Sequence, residues 1–583
     1  VYLERSAVQV DAAKHTAAPH RSIRILSFGL VLLLVGVQLA SCFRRYIVND
    51  DYLYLYTAWM RSKGAIPGKD FFLASYSAIF DLGAPLFRVL PENLWPLYLS
   101  RLAILACLVA TAFFVARVTR SLFGELAGLL APVFYLSTQA VLHRGLDVRP
   151  DAITTLLWFA LFDLLCRHRV PGPRQAMMLG ALLGLCFINR FKSVVVVPPL
   201  ALFIIFEALK EQRKTWLACT TRIAGWAALG VAIPLMGFAA FLATQQELHV
   251  FLSSSGRVAK ALPQFDLATG SLRTAVLSTF CEQDFLLYFL TLASTIAMLV
   301  RRASVRHWGP MAAVFVGTAL LSVALNPAYY AYNLITLSAL MAPLAAFAAA
   351  TLIESLAQRL RTSWEGAVVA AMVLCLPVVV QARELAHYAS SDTLRYQRAL
   401  ATFIDRHLPK DAPVFAMEGV GLYRPSVFHW RMPFIIVPWY QQGEWSYVKE
   451  FREARPELVI QTYRVPGWLT KADQEFIESH YTALTPKVWT LGTSTTSDTT
   501  FEALRGGVFE VETTGRCVVD GQPQANDATL ELAEGEHAVH VEEGVCHVRR
   551  HYPPEGLSLI RSKAQIEYLY GPELRSITML ADP

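Results

Sequence analysis

Uncharged apolar runs of membrane length recur along this chain, and no other feature restricts its fold so strongly. They include 25–43, 223–244, 285–300, 334–353 and 366–382. A helix of about 17–25 apolar residues matches the hydrocarbon thickness of a bilayer. One such run fits a buried core helix; a series of them has no soluble counterpart. Composition agrees, since 54% of the 583 residues are hydrophobic and only 17% are charged, against roughly 25% charged in soluble chains. The mean hydropathy is +0.38.

Sliding hydropathy gives about eleven spans, at 25–43, 97–116, 122–142, 152–166, 176–188, 194–206, 223–244, 285–300, 308–325, 334–353 and 366–382. The short runs 176–188 and 194–206 read either as tilted spans or as a re-entrant pair. The first run exceeds a signal-peptide core of about 7–15 residues and lacks a small-x-small cleavage site, so it is read as a permanent span. Lys14, Arg21 and Arg24 precede it and place that side inside.

Counting from there, the inner loops hold Arg117 and Arg120, the trio Arg167, Arg169 and Arg174, then Lys210, Arg213 and Lys214, and later Arg301, Arg302, Arg306, Arg359 and Arg361. The opposite loops hold Asp50, Asp51, Asp70, Asp81, Asp147 and Asp151. This is the positive-inside asymmetry, and an odd span number puts everything beyond about residue 383 outside. The expected fold is thus an α-helical polytopic membrane domain, 1–388, with an outer loop at 44–96 and two water-soluble units behind it.

In 389–500, helices alternate with short apolar strands (393–408 then 413–417, 447–454 then 458–462, 471–479 then 488–491), which predicts an α/β unit. Past 500 the period becomes two, with strands at 508–513, 516–519, 529–532 and 538–542 and a turn at Asp520-Gly521. That predicts a β-rich unit, 501–583, as a sandwich or hairpin cap, serving binding or packing. Cys517 and Cys546, the only cysteines past residue 375, lie in strands of this unit. In an oxidising compartment they are a disulfide candidate; the alternative is two buried free thiols.

The net charge of +6 resides largely in loops between spans, and no nucleic-acid or nucleotide-binding motif occurs. The nine cysteines show no C-x-x-C spacing, so neither a zinc nor a thioredoxin-like site is indicated. No cofactor and no resident metal are expected, while dependence on an added divalent ion stays open.

The first outer loop carries the most chemistry. Asp50 and Asp51 stand side by side just after the first span. Adjacent carboxylates at a membrane surface repel, and they make sense when one holds a proton, pairs with a cation or acts as a base; an interfacial polar rim is the plainer alternative. With Tyr54, Ala58, Gly64, Pro67, Asp70-Phe71 and Arg101, the run resembles the polytopic glycosyltransferases of the GT-C superfamily. It is most similar to the protein O-mannosyltransferase and aminoarabinose lipid A transferase branch, glycosyltransferase families 39 and 83. The resemblance covers the first ~200 residues by topology and motif, extends to 326–330 with Tyr329 and Tyr330, and is loose in the tail.

The resemblance implies an Asp at the start of the fourth span, where Asp151 stands, though Asp151 also reads as a helix N-cap. It implies a cation reaching the carrier phosphate. Arg190 occupies that place, with Lys192 second and Arg149 a further candidate, and headgroup snorkelling is the alternative. His143 reads as an interfacial histidine before a ligand.

A polyprenyl phosphate is a good leaving group, so the reaction needs one carboxylate to accept the acceptor's hydroxyl proton and cations to stabilise the departing phosphate. Asp50 is the expected base and Asp151 its helper, in a single displacement that inverts the anomeric centre. The expected partners are a polyprenyl-phosphate sugar, a lipid, glycan or protein acceptor, and membrane lipids, with no nucleic acid. A transporter or flippase of a lipid-linked glycan is the rival reading, but it predicts a site near the bilayer midplane and internal repeats. No Asn-x-Ser/Thr sequon occurs, which leans toward a bacterial inner membrane.

Overall fold

Most of the apolar runs fold as continuous helices that tolerate internal prolines as bundles do, while the run 122–142 is broken at Gly124 and again at Ser137-Thr138. The computed structural model describes residues 2–553 apart from 74–75, 262–269, 301–304, 326–330, 360–362, 418–419, 422, 434–435 and 463. Helix α1 (Tyr2–Arg44) leads into α2 (Asn49–Ser62) and α3 (Ile79–Val89), which form the first loop. The bundle continues with α4 (Trp95–Phe123), α5 (Glu125–Leu136), α6 (Gln139–Arg144), α7 (Pro150–Arg167) and α8 (Pro173–Asn189). A 3-10 turn, Phe191–Val196, then enters α9 (Val197–Glu211). After it come α10 (Trp216–Thr244), α11 (Leu248–Ala261), α12 (Gly270–Gln283), α13 (Phe285–Val300), α14 (Val305–Ala324), α15 (Leu334–Arg359) and α16 (Ser363–Val380).

Among the described residues, five stretches are long and apolar enough to cross a bilayer: Ser22–Arg44, Trp95–Phe123, Phe191–Glu211, Trp216–Thr244 and Leu334–Leu356. Two bent pairs, Val276–Gln283 with Phe285–Met298 and Ala367–Val380 with Ala382–His407, raise the number to seven. The other runs of the sequence count are helical without reaching that length and hydropathy. The span of α10 has a mean hydropathy of 2.0 yet only 11% of its apolar window is buried, and it exposes Leu229, Ile233 and Met236. Lipid is the solvent that such a surface fits. By contrast α15 is 83% buried and forms the centre of the bundle.

Small residues let α8 and α10 touch backbone to backbone. A Cβ on Gly180 would sit 1.9 Å from the Ala227 carbonyl oxygen, and one on Gly230 would sit 2.1 Å from that of Met177. Packing of this kind substitutes for the hydrophobic effect, which is weak between helices in lipid.

Beyond the bundle, α17 (Ala382–Ser390) and α18 (Arg395–His407) lead into the soluble tail. Its first strands, β1 (Val414–Phe415) and β2 (Leu458–Ile460), pair in parallel. The short helix α19 (Val437–Gln441) and the helix α20 (Tyr447–Ala454) lie between them. Further on come α21 (Arg464–Trp468), α22 (Lys471–His480), β3 (Tyr481–Thr485) and β4 (Val488–Thr495). Strand β4 pairs with β2 on one side and with the last strand, Cys546–Arg550, on the other. One sheet therefore runs through both tail stretches read from the sequence. A second sheet contains the strands Thr499–Ala503, Gly535–Val541, Cys517–Val519 and Gln522–Gln524. The disulfide Cys517–Cys546 ties the two sheets together.

The tail rests on the first outer loop. Tyr52, Tyr56, Trp59 and Phe71 share one buried core with Leu400, Phe403, Tyr423 and Trp430. That shared core brings residues some 380 positions apart into one site.

Candidate functional site

Asp50 and Asp51 open α2, where the positive end of the helix favours carboxylates. Their neighbouring positions send them to different surroundings. Asp51 is fully buried and accepts from Arg101 at 2.7 Å and from the backbone N–H groups of Val148 and Val48. Arg101 spends its remaining reach on the carbonyls of Arg45 and Tyr46, each at 2.7 Å. The pair thus clamps the exit of α1 to α4 and to the loop before α7. Beside it, Arg45 donates to Asp147 at 2.6 Å.

Asp50 keeps 26% of its side chain exposed and borders a cavity of about 160 Å³. Leu53, Tyr54, Phe72, Leu73, Arg149, Tyr332, Trp430, Arg431 and Pro433 complete the lining. One Asp50 oxygen accepts from Arg149 and the other from Arg431 at 3.2 Å. Arg149 also donates through Nε to Asp151 at 3.1 Å. Arg190 donates to the other oxygen of Asp151 and to the side-chain oxygen of Asn333. The guanidinium of Arg149 lies 3.3 Å from the centroid of the Tyr332 ring, a cation–π contact. The result is an alternating relay, Arg431–Asp50–Arg149–Asp151–Arg190, whose first three members line the cavity.

Burial acts to raise the Asp50 carboxyl, but Arg149, then Arg431 and Arg144, outweigh it and hold its pKa at about 2. Burial likewise opposes the charge on Arg149, and Asp50 and Asp151 overcome it, so its pKa rises well above the ordinary value. The Tyr54 and Tyr332 hydroxyls, pushed up to about 12 chiefly by burial, stay protonated donors. The site therefore offers one anionic oxygen pair, several fixed cations and two phenols along its wall.

The remaining expectations disperse. Lys192 is exposed on the 3-10 turn beside an 80%-exposed Phe191, outside the cavity wall but within electrostatic reach of Arg190 and Asp151. Asp70 accepts from the Ile66 N–H at 2.7 Å and closes a surface turn with Gly68, whose φ of +84° needs glycine. His143 pairs with the Tyr388 hydroxyl, and burial followed by Arg144 drives its pKa well below the usual imidazole value. Tyr329 and Tyr330 lie outside the described residues. Asp151 opens α7 behind Pro150, as an N-terminal helix residue does, and its side chain serves the relay. No cluster of three or more His, Cys, Asp or Glu suited to a metal occurs among the described residues.

Sequence reasoning missed Tyr332, Asn333, Trp430 and Arg431. The first two follow the Tyr329-Tyr330 candidates closely. The others belong to the triplet His429-Trp430-Arg431, an aromatic and basic cluster in a tail that was read only for its secondary structure.

Residues 79–239 match the family model described as dolichyl-phosphate-mannose-protein mannosyltransferase. No curated protein matches the chain. Among solved structures, an oligosaccharyltransferase of Archaeoglobus fulgidus tethered to an acceptor peptide aligns at 11% identity, over 87% of this chain and 76% of its own, with a TM-score of 0.48. ArnT from Cupriavidus metallidurans bound to undecaprenyl phosphate aligns at 11% identity, over 80% and 97%, with a TM-score of 0.49. Arabinosyltransferase EmbB from Mycobacterium smegmatis aligns at 12% identity, over 90% and 64%, with a TM-score of 0.40. The body of membrane-length apolar helices therefore carries, over residues 79–239, a stretch similar to a protein mannosyltransferase.

Proposed function

We propose that the chain transfers a sugar from a polyprenyl-phosphate donor to a hydroxyl acceptor, at the periplasmic side of a bacterial inner membrane, with inversion at the anomeric carbon. The observation that carries this reading is the partly exposed Asp50 on the wall of a cavity lined by guanidinium groups and aromatic rings. A lipid-linked phosphodiester needs charge stabilisation as it leaves, which Arg149 and Arg190 supply as preorganised cations. Asp50 accepts the acceptor proton. Asp151 orients both guanidiniums, and the Tyr54 and Tyr332 rings flank the sugar. The Asp51–Arg101 clamp holds the start of α2 still, and Lys192 sits toward the lipid-facing edge.

Transport is less well supported. Its site belongs near the bilayer midplane among broken helices, whereas this cavity is shared between the first loop and the soluble tail. The test is an assay of the purified protein with a panel of polyprenyl-phosphate sugars and hydroxyl acceptors, following loss of sugar from the lipid and the anomeric configuration of the product. Release of sugar from none of the donors would overturn the reading.

A further inference from the structure

Among the described residues, Arg431 is the charged side chain that the soluble tail brings to the cavity wall. The segment 427–433 is anchored to the first loop by a backbone bond from the Phe72 N–H to the Phe428 carbonyl at 2.9 Å. Its Trp430 packs against Tyr56 with ring centroids 4.6 Å apart. Beyond it, His429 pairs with Glu450 and accepts the Tyr447 hydroxyl on its carbonyl at 2.8 Å, which fixes the segment from the tail side. Arg431 projects from this doubly fixed stretch onto Asp50, and its side chain is only 15% exposed.

The two cations on Asp50 are not equivalent. Arg149 is shared with Asp151 and lies against Tyr332, so other contacts hold it in place. Arg431 reaches Asp50 from the tail, donating at 3.2 Å, and lines the same cavity.

We propose that Arg431 is a positioning residue that the soluble tail lends to the transfer site: it holds Asp50 in an ion pair while no donor is present, and passes its guanidinium to the donor's phosphate when the donor enters. This rests on the reading of Asp50 as the base. A carboxylate and a phosphate diester compete for the same guanidinium fork, and both bind it bidentately. The exchange has a chemical consequence. Asp50 between two guanidiniums is a weak base, and a phosphate that draws Arg431 away returns proton affinity to it at the moment the leaving group is in place. An acceptor arriving without donor meets a carboxylate still held by two cations.

Competition of this kind is measured by binding, without turnover. The probe is a C55 polyprenyl phosphate carrying no sugar, titrated onto the full-length protein in detergent. Asp50→Asn removes the competitor and is expected to tighten probe binding about tenfold, within the usual coupling between neighbouring charges. In an Arg431→Gln background the same change should tighten binding by about twofold or less, because the contested guanidinium is gone. Arg431→Gln alone should raise the donor KM about tenfold with kcat changed less than about threefold, and Arg431→Lys should restore part of that KM, since an ammonium keeps the charge but not the fork.

A merely structural Arg431 predicts another pattern, with both Gln and Lys lowering kcat and melting temperature, donor KM unmoved, and no coupling to Asp50. That pattern overturns the proposal, as does equal tightening by Asp50→Asn in both backgrounds. The parent reading fails separately, through turnover that survives in Asp50→Asn.

Discussion

Two ion-pair clusters stand side by side at the mouth of the helical bundle, built from the same residue types and fed by adjacent residues of one helix turn. Around Asp51, every partner is buried, and both terminal nitrogens of Arg101 are taken by backbone carbonyls and one carboxylate. Around Asp50, the same chemistry borders a cavity, and one of the cations arrives from the tail. A sealed pair can only hold structure, since removing a partner strands a charge and no ligand can replace it. An open pair can exchange partners with a ligand. The difference is one residue of helical phase, about 100° of rotation.

The widest separation between the two clusters should come from neutralising each aspartate. Asp50→Asn is expected to lower kcat by about 10²- to 10⁴-fold, the usual share of a general base, with a smaller loss of melting temperature than Asp51→Asn because its site is open to solvent. Asp51→Asn strands Arg101 and should cost about 3–5 kcal/mol of stability, seen as a lower yield of folded protein and a lower melting temperature in detergent. Activity per folded molecule should fall far less in Asp51→Asn than in Asp50→Asn. The reverse pattern would exchange the assignments of the two carboxylates.

Arg190 probes the far end of the open cluster. Arg190→Ala removes a charge-assisted contact worth about 1.5–3 kcal/mol, so the donor KM should rise about tenfold or more while the protein still inserts and melts normally. An unchanged donor KM would leave Arg190 as a partner of Asp151 and Asn333 only.

These contrasts also mark what the sequence could reveal. The membrane class was legible because bilayer thickness sets a length that several apolar runs reach as helices. The Asp50-Asp51 pair, Arg149, Asp151 and Arg190 were legible as candidates, since carboxylates and cations at the ends of apolar helices are costly unless used. Which aspartate faces the cavity was not legible, because the angle at which α2 leaves α1 depends on the Arg101 clamp. Arg431 was invisible for a plainer reason: its contact spans 381 positions and depends on how the tail docks. Hydropathy likewise gave about eleven runs, while the geometry shows some of them too short or too bent to count as simple crossings.

The disulfide sharpens the contrast between the tail and the bundle. Cys517 and Cys546 close a loop with a sequence separation of 29, for which chain entropy gives roughly 3–4 kcal/mol. Cys517→Ser with Cys546→Ser should destabilise the two-sheet region by that order, read by proteolysis of the tail. Donor binding at the bundle end of the site should persist. Two free thiols found by mass analysis of protein extracted without reductant would instead argue against an oxidising location for the tail.

The smallest expected effect is a flat line. Asp50 has its folded-state pKa lowered to about 2, below the ~3.9 of an unfolded aspartate. A depressed carboxyl gives stability that is present above the unfolded value and lost as pH falls through the folded one. Across pH 5–8 the donor-free enzyme therefore keeps Asp50 ionised, and burial works against protonation of His143. Neither group should contribute an acidic limb to kcat/KM in that window, because kcat/KM reports the free enzyme. Profiles of kcat and kcat/KM should then differ, since donor binding redistributes the cations around Asp50 and only kcat senses that state. An acidic limb in kcat/KM with an apparent pKa between 5 and 7, and absent from Asp50→Asn at its residual rate, would mean that the two guanidiniums do not hold Asp50 in the working enzyme. The distinction between an open and a sealed cluster would then rest on exposure alone.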